Sequence, residues 1–74
     1  MKLSDLSADS RGRVTSLPGD KRFINRISAI GITSGVDFRV IKNDKHMPVL
    51  IYVRQTLLAL NRRDCERIEV EVAS

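Results

Sequence analysis

Between Arg22 and Asp44 the sequence runs RFINRISAIGITSGVDFRVIKND, and its apolar period changes halfway. As far as Ile30 the apolar residues recur at helical spacing; beyond Gly35 they alternate, as on a half-buried strand. A chain of 74 residues that makes this change has room for one domain, spanning 1–74, with a helix wedged between strands. The helix is predicted over Lys21 to Ile30, with Phe23, Ile27 and Ile30 on one face and Ile24 beside them. Pro18-Gly19 makes a turn before it, and Asp20 can cap its N-terminus. Gly31 falls where the left-handed residue that ends a helix is wanted. Gly35 closes the following turn, so the two glycines bracket a helix-to-strand corner.

Around this corner the remaining pattern is mostly that of strands. GRVTSL, from Gly12, reads as a strand with Val14 and Leu17 facing inward. VDFRVIK, from Val36, places Phe38 and Val40 on one side. NDKHMP is a polar loop that ends at Pro48. VLIYVR, from Val49, is apolar on both faces: Val49, Ile51 and Val53 on one, Leu50 and Tyr52 on the other. TLLALN follows, with Leu58 and Leu60 on one side and Leu57 on the other, and Gln55-Thr56 as the tight hairpin connection. Asn61, three residues before Asp64, suggests a capped helical turn through Arg67. IEVEV alternates last, with Ile68, Val70 and Val72 inward. At the N-terminus, Leu3 and Leu6 suggest a short turn capped by Ser4. Five short strands of period two cannot build two stacked sheets at this length. A small, strongly bent barrel, mainly β, is the economical solution, because closure hides the strand edges.

Composition narrows the function. Apolar residues make up 42% and charged residues 30%, which suits a folded globule. The segment MKLSDLSADS lacks a continuous apolar core, and no apolar run approaches a membrane span, so a cytoplasmic protein is expected. The net charge of +4 is spread: residues 1–26 carry six basic and three acidic side chains, residues 27–61 four and two, residues 62–74 three and four. With two Phe, one Tyr and no long basic cluster, nucleic acid is not the expected partner. The single cysteine, Cys65, has no internal disulfide partner and reads as a core thiol in a reducing compartment.

The spaced set Arg26, Ile27, Ile30, Gly31, Ile32, Gly35, Val36, Phe38 and Val40 resembles the ferrous iron transport protein A (FeoA) family. In that family a helix ends in an arginine–leucine…glycine–leucine-x-proline-glycine pattern and an alternating strand follows. HMPVLIYV and LALNRRDCERIEV continue the resemblance in the same order, from LSDL to Val72. Ser34 stands where the family has proline, Gln55 where glycine is common and Asn61 where a basic residue is usual. Only Pro48 matches the family's GDP before the third strand. The resemblance implies an SH3-like barrel with an α-helix inserted between its first two strands and a short helical turn before the last. It implies service to the ferrous iron transporter FeoB from the cytoplasm, recruited to the inner face of the membrane. The same barrel type is similar to the C-terminal domain of iron-dependent repressors.

No catalytic set is evident. General acid–base work needs a tuned titratable group and nucleophilic catalysis needs a base beside the nucleophile. His46 is the sole histidine, in a polar loop, and Cys65 stands where the family has a small residue. No phosphate-cradling glycine motif occurs. A non-enzymatic protein is expected. The resemblance also raises binding of Fe2+ or another divalent transition metal, for which His46, alone or shared between copies, and Cys65 are the candidate ligands. Partner binding fits the residues better. Either the inserted helix packs Phe23, Ile24 and Ile27 over the outward residues Leu50, Tyr52 and Leu57, or these form an apolar contact patch. Arg22 and Arg26, four apart on the helix, would supply its polar rim or form a solvated face. Two readings follow. One is an accessory that binds the cytoplasmic part of FeoB; the other is a free-standing SH3-like adaptor outside iron transport, touching nucleic acid through its spread charge. Exposed strand edges would permit a weak homodimer.

Overall fold

A computed structural model describes residues 1–73. Five antiparallel strands form one sheet: β1 (Arg11–Ser16), β2 (Asp37–Lys42), β3 (Val49–Val53), β4 (Thr56–Leu60) and β5 (Glu69–Val72). Their order is β4-β3-β2-β1-β5. Helix α1 (Lys21–Ala29) is inserted between β1 and β2, and the short α2 (Arg62–Cys65) precedes β5. A single turn of 3-10 helix, Leu3–Asp5, leads the chain. Asp5, rather than Ser4, accepts the Lys2 amide there, at 3.1 Å.

One face of every strand enters a common core. Val14, Phe38, Val40, Val49, Ile51, Val53, Leu60 and Val70 are buried together with Phe23, Ile27, Ile32, Cys65 and Ile68. The helices supply only a few of these side chains, so the sheet buries its inner face largely against itself. Register shifts between Val14 and Ser16 and between Val40 and Lys42 provide the bends such curling needs. The ladder does not close by hydrogen bonds, however, because β4 and β5 stand at opposite ends of the strand order. The β5 edge is covered by the N-terminal segment, through Leu3 N–H to Ile68 O at 2.9 Å and Val70 N–H to Met1 O at 2.8 Å. β4 remains an edge.

The helix-to-strand corner forms as its residues require. The Asp20 carboxylate accepts the Phe23 amide at 2.8 Å, satisfying one free donor of the first turn. At the other end Ile32 N–H reaches Ile27 O at 3.2 Å and Gly31 N–H reaches Ser28 O at 3.0 Å. This paired bonding is a Schellman ending, with buried Ile27 and Ile32 as its apolar contact. Gly31 carries φ +102 and Gly35 φ +91, and a Cβ at either would touch nothing within 4 Å. Their requirement is therefore conformational. Gly12 has the opposite reason: a Cβ there would meet the Glu71 carbonyl at 2.5 Å and the Phe38 ring at 2.9 Å.

Three expectations are corrected. The helix stops at Ala29, and Ile30, its C-cap, is 44% exposed rather than part of the buried face. Val72 is 51% exposed, because the strand ladder is ending there and the core lies behind Val70. The hairpin turn is Arg54-Gln55, not Gln55-Thr56: Thr56 already pairs with Val53. Both turn residues are left-handed, φ +51 and +64, as a two-residue hairpin of matching twist demands. Pro48 ends the loop immediately before β3, as expected.

These backbone demands predict opposite stability changes from two exchanges. Gly31→Ala should destabilise the fold by about 1–2 kcal/mol, whereas Gln55→Gly should stabilise it by about 0.5–1 kcal/mol. Urea unfolding of both variants measures the two signs.

Candidate docking surface

Helix α1 is held to α2 and not to the outer face of the sheet. The Arg26 guanidinium donates two hydrogen bonds to the Asp64 carboxylate, at 2.7 and 3.0 Å. Asp64 is 6% exposed and also accepts from the Asn61 amide at 3.1 Å. Asn61 caps α2 through its own oxygen, which accepts the Asp64 N–H at 2.8 Å. Hydrogen bonding from Arg26 holds the Asp64 carboxyl below its ordinary value, against the opposing effect of burial. Phe23 is clasped beside this pair, with the Arg67 guanidinium 4.0 Å from its ring centre and that of Arg26 at 5.6 Å. Arg62 ties the β2–β3 loop down by donating to the Asp44 and Met47 carbonyls and to Asn43 Oδ1. Arg26 thus clamps α1 to α2. Arg22 is exposed on the same helix.

With the helix engaged elsewhere, Tyr52 and Leu57 stay open, 44% and 57% exposed, and Leu50 is half-buried. Tyr52 lies directly opposite Leu57 across the β3–β4 ladder, and Leu50 opposite Ala59. The charged neighbours of this patch come from the sheet. Arg39 of β2 pairs with Tyr52, and Arg11 of β1 pairs with Arg39. One outward row therefore reads Arg11, Arg39, Tyr52, Leu57 across four strands. Arg11, Arg39, Tyr52 and Arg54, with Asp37 and Phe38, line an open depression of about 580 Å3. Arg11, Arg39 and Arg54 escape a reading of the sequence because they are 28 and 15 residues apart. Only the register unites them.

The candidate metal ligands are not brought into a cluster. His46 is exposed in the loop before β3, at φ +65. Cys65 is wholly buried at the end of α2, and burial pushes its thiol up to about 12. A metal-binding cysteine must lose its proton, so this thiol does not fit a resident site. No group of three or more His, Cys, Asp or Glu side chains that could hold a metal ion occurs among the described residues. No helix among them is long and apolar enough to cross a membrane.

The FeoA domain profile matches residues 1–72. The chain belongs to the FeoA domain family. Solved structures agree with that assignment. An iron uptake regulatory protein (FeoA) superposes with TM-score 0.94 at 20% identity, over 99% of this chain and 97% of that one. A FeoA protein from Chlorobium tepidum gives 0.85 at 28% identity, over 100% and 71%. A zinc complex of Stenotrophomonas maltophilia FeoA gives 0.79 at 25% identity, over 96% and 89%. That protein is described as an SH3 domain protein, and the SH3-like character expected for the present sheet agrees with it. No curated protein matches the chain.

Two pH windows follow from the buried groups. Asp64 is held below the ordinary carboxyl value by Arg26, so its contribution is full above about pH 4 and is lost as pH falls through the folded value. Cys65 is raised, so its contribution is full below the ordinary thiol value and fades as pH climbs toward about 12. Thermal unfolding followed across pH should show a plateau between these limits. Asp64→Ala should lower stability by roughly 2–3 kcal/mol and abolish most of the acid dependence. In the native state at pH 8, Cys65 should react with a thiol reagent only as fast as the protein opens.

Proposed function

We propose that the protein is a non-enzymatic accessory of ferrous iron uptake, acting in the cytoplasm by docking on the cytoplasmic part of the FeoB GTPase-transporter. Family membership and likeness to FeoA structures suggest the role in ferrous iron transport. The single observation that supports docking is the exposed Tyr52–Leu57 cross-strand pair, left uncovered because α1 is clamped to α2. An aromatic and a leucine on a rigid sheet lose little freedom when a partner covers them, which suits an interface anchor. In this reading ferrous iron is the transporter's cargo. Any direct contact between a divalent ion and this chain falls on His46, a lone exposed imidazole, and is weak.

Titration against the transporter's cytoplasmic domain tests the reading. Tyr52→Ala and Leu57→Glu should each weaken association by about tenfold or more, with Tm changed by no more than about 2–4 °C. Unchanged affinity in both removes the patch, and no association of the folded protein at tens of micromolar removes the partner. Ferrous iron or zinc added to the protein should move the His46 ring signals and leave those of Cys65 in place.

A further inference from the structure

One row of the outer sheet face is frustrated in charge. Arg11 stands directly opposite Arg39, and like charges in that relation repel. The neighbouring pair on the same face, Arg13 and Asp37, is opposite in sign and closes an ion pair at 2.9 Å. Strand geometry therefore does not forbid an acid beside Arg11. Arg54 completes the group from a turn position at φ +51, which glycine or asparagine would hold with less strain. Among the described residues its one side-chain bond is long, 3.5 Å to Thr33 Oγ1. None of the three guanidinium groups meets a carboxylate in an ion pair among the described residues, and the one acid lining their depression, Asp37, is engaged by Arg13. Stability explains neither the opposed arginines nor the strained one.

We propose that this depression binds an acidic peptide segment of a protein partner, its carboxylates bridging Arg11, Arg39 and Arg54 and an apolar side chain resting on Tyr52 and Leu57. The proposal rests on the docking reading above and adds the chemical class of what docks. The guanidinium fork matches a carboxylate with two parallel hydrogen bonds, and a carboxylate between Arg11 and Arg39 relieves their repulsion. A second copy of the chain is disfavoured as occupant, since each carries a net charge of +4. Nucleic acid is disfavoured too. The basic row spans β1 to β3, roughly 10 Å at ordinary strand spacing, and holds one exposed aromatic side chain, whereas single strands are bound along grooves with several stacking rings.

Fluorescence anisotropy with a labelled twelve-residue peptide of alternating Glu and Leu tests this. The comparison probes are its Gln-for-Glu counterpart and a single-stranded oligonucleotide. Arg39→Glu should weaken the acidic peptide at least tenfold, and its Tm should not fall, because the new carboxylate pairs with Arg11. Arg63→Glu, the same charge change on α2, should stay within twofold of the unsubstituted protein. The Gln peptide should bind at least tenfold more weakly than the acidic one. No binding of the acidic peptide, equal loss in the Arg63 variant, or tighter binding of the oligonucleotide overturns the proposal. The docking reading fails separately. Association with the transporter domain that Tyr52→Ala abolishes and Arg39→Glu leaves unchanged sinks the acidic class alone. Peptide binding through Arg39 without transporter association sinks the partner alone.

Discussion

The Arg26–Asp64 pair decides where everything else can lie. It joins two elements 38 residues apart, and its carboxylate is almost wholly enclosed. A buried acid left without its guanidinium would be costly, so the pair holds α1 in one position against α2. Phe23 then lies within reach of both the Arg67 and the Arg26 guanidinium, and Ile27 joins it in the core. The short α2 owes its own start to Asn61, whose side chain serves both its cap and Asp64. Because the helix is committed to this end of the sheet, it is unavailable to cover Tyr52 and Leu57. The clamp thus fixes both what is buried and what is left open.

Much of this was legible from local rules. The period change between Ile30 and Gly35, the Asp20 and Asn61 caps and the left-handed glycines each act within four or five residues, and each appears where the sequence implies. Strand faces were legible for the same reason, since period two separates Val49, Ile51 and Val53 from Leu50 and Tyr52, and the structure buries the first set. What escaped was long-range. The position of Arg26 on the helix gives its direction but not its partner. Arg11, Arg39 and Tyr52 become neighbours only through two registers, each of which depends on where the sheet bends. Ile30 and Val72 were misplaced by the same limit: a periodic pattern does not say where its last member runs past the core.

The buried cysteine follows the same logic from the chemical side. Cys65 lies on α2 next to Asp64, inside the wall that the clamp closes, and burial keeps its proton on. A thiol in that state packs like a small apolar group. With the lone histidine out on a loop, the fold keeps imidazole and thiol apart.

A strand of period two lets one segment answer two demands independently. The inner row must be apolar and matched in volume, and in this sheet Gly12 yields space to Phe38 to achieve it. The outer row has no such constraint, so stability alone would be served by opposed charges like Arg13 and Asp37 or by small polar residues. Arg11 against Arg39 is tolerated because water screens the repulsion, and that tolerance is what lets an outer face differ from the stability optimum. The same screening vanishes when a partner covers the face and excludes water. An arrangement mildly unfavourable alone then becomes strongly selective, since any covering surface must bring negative charge to it.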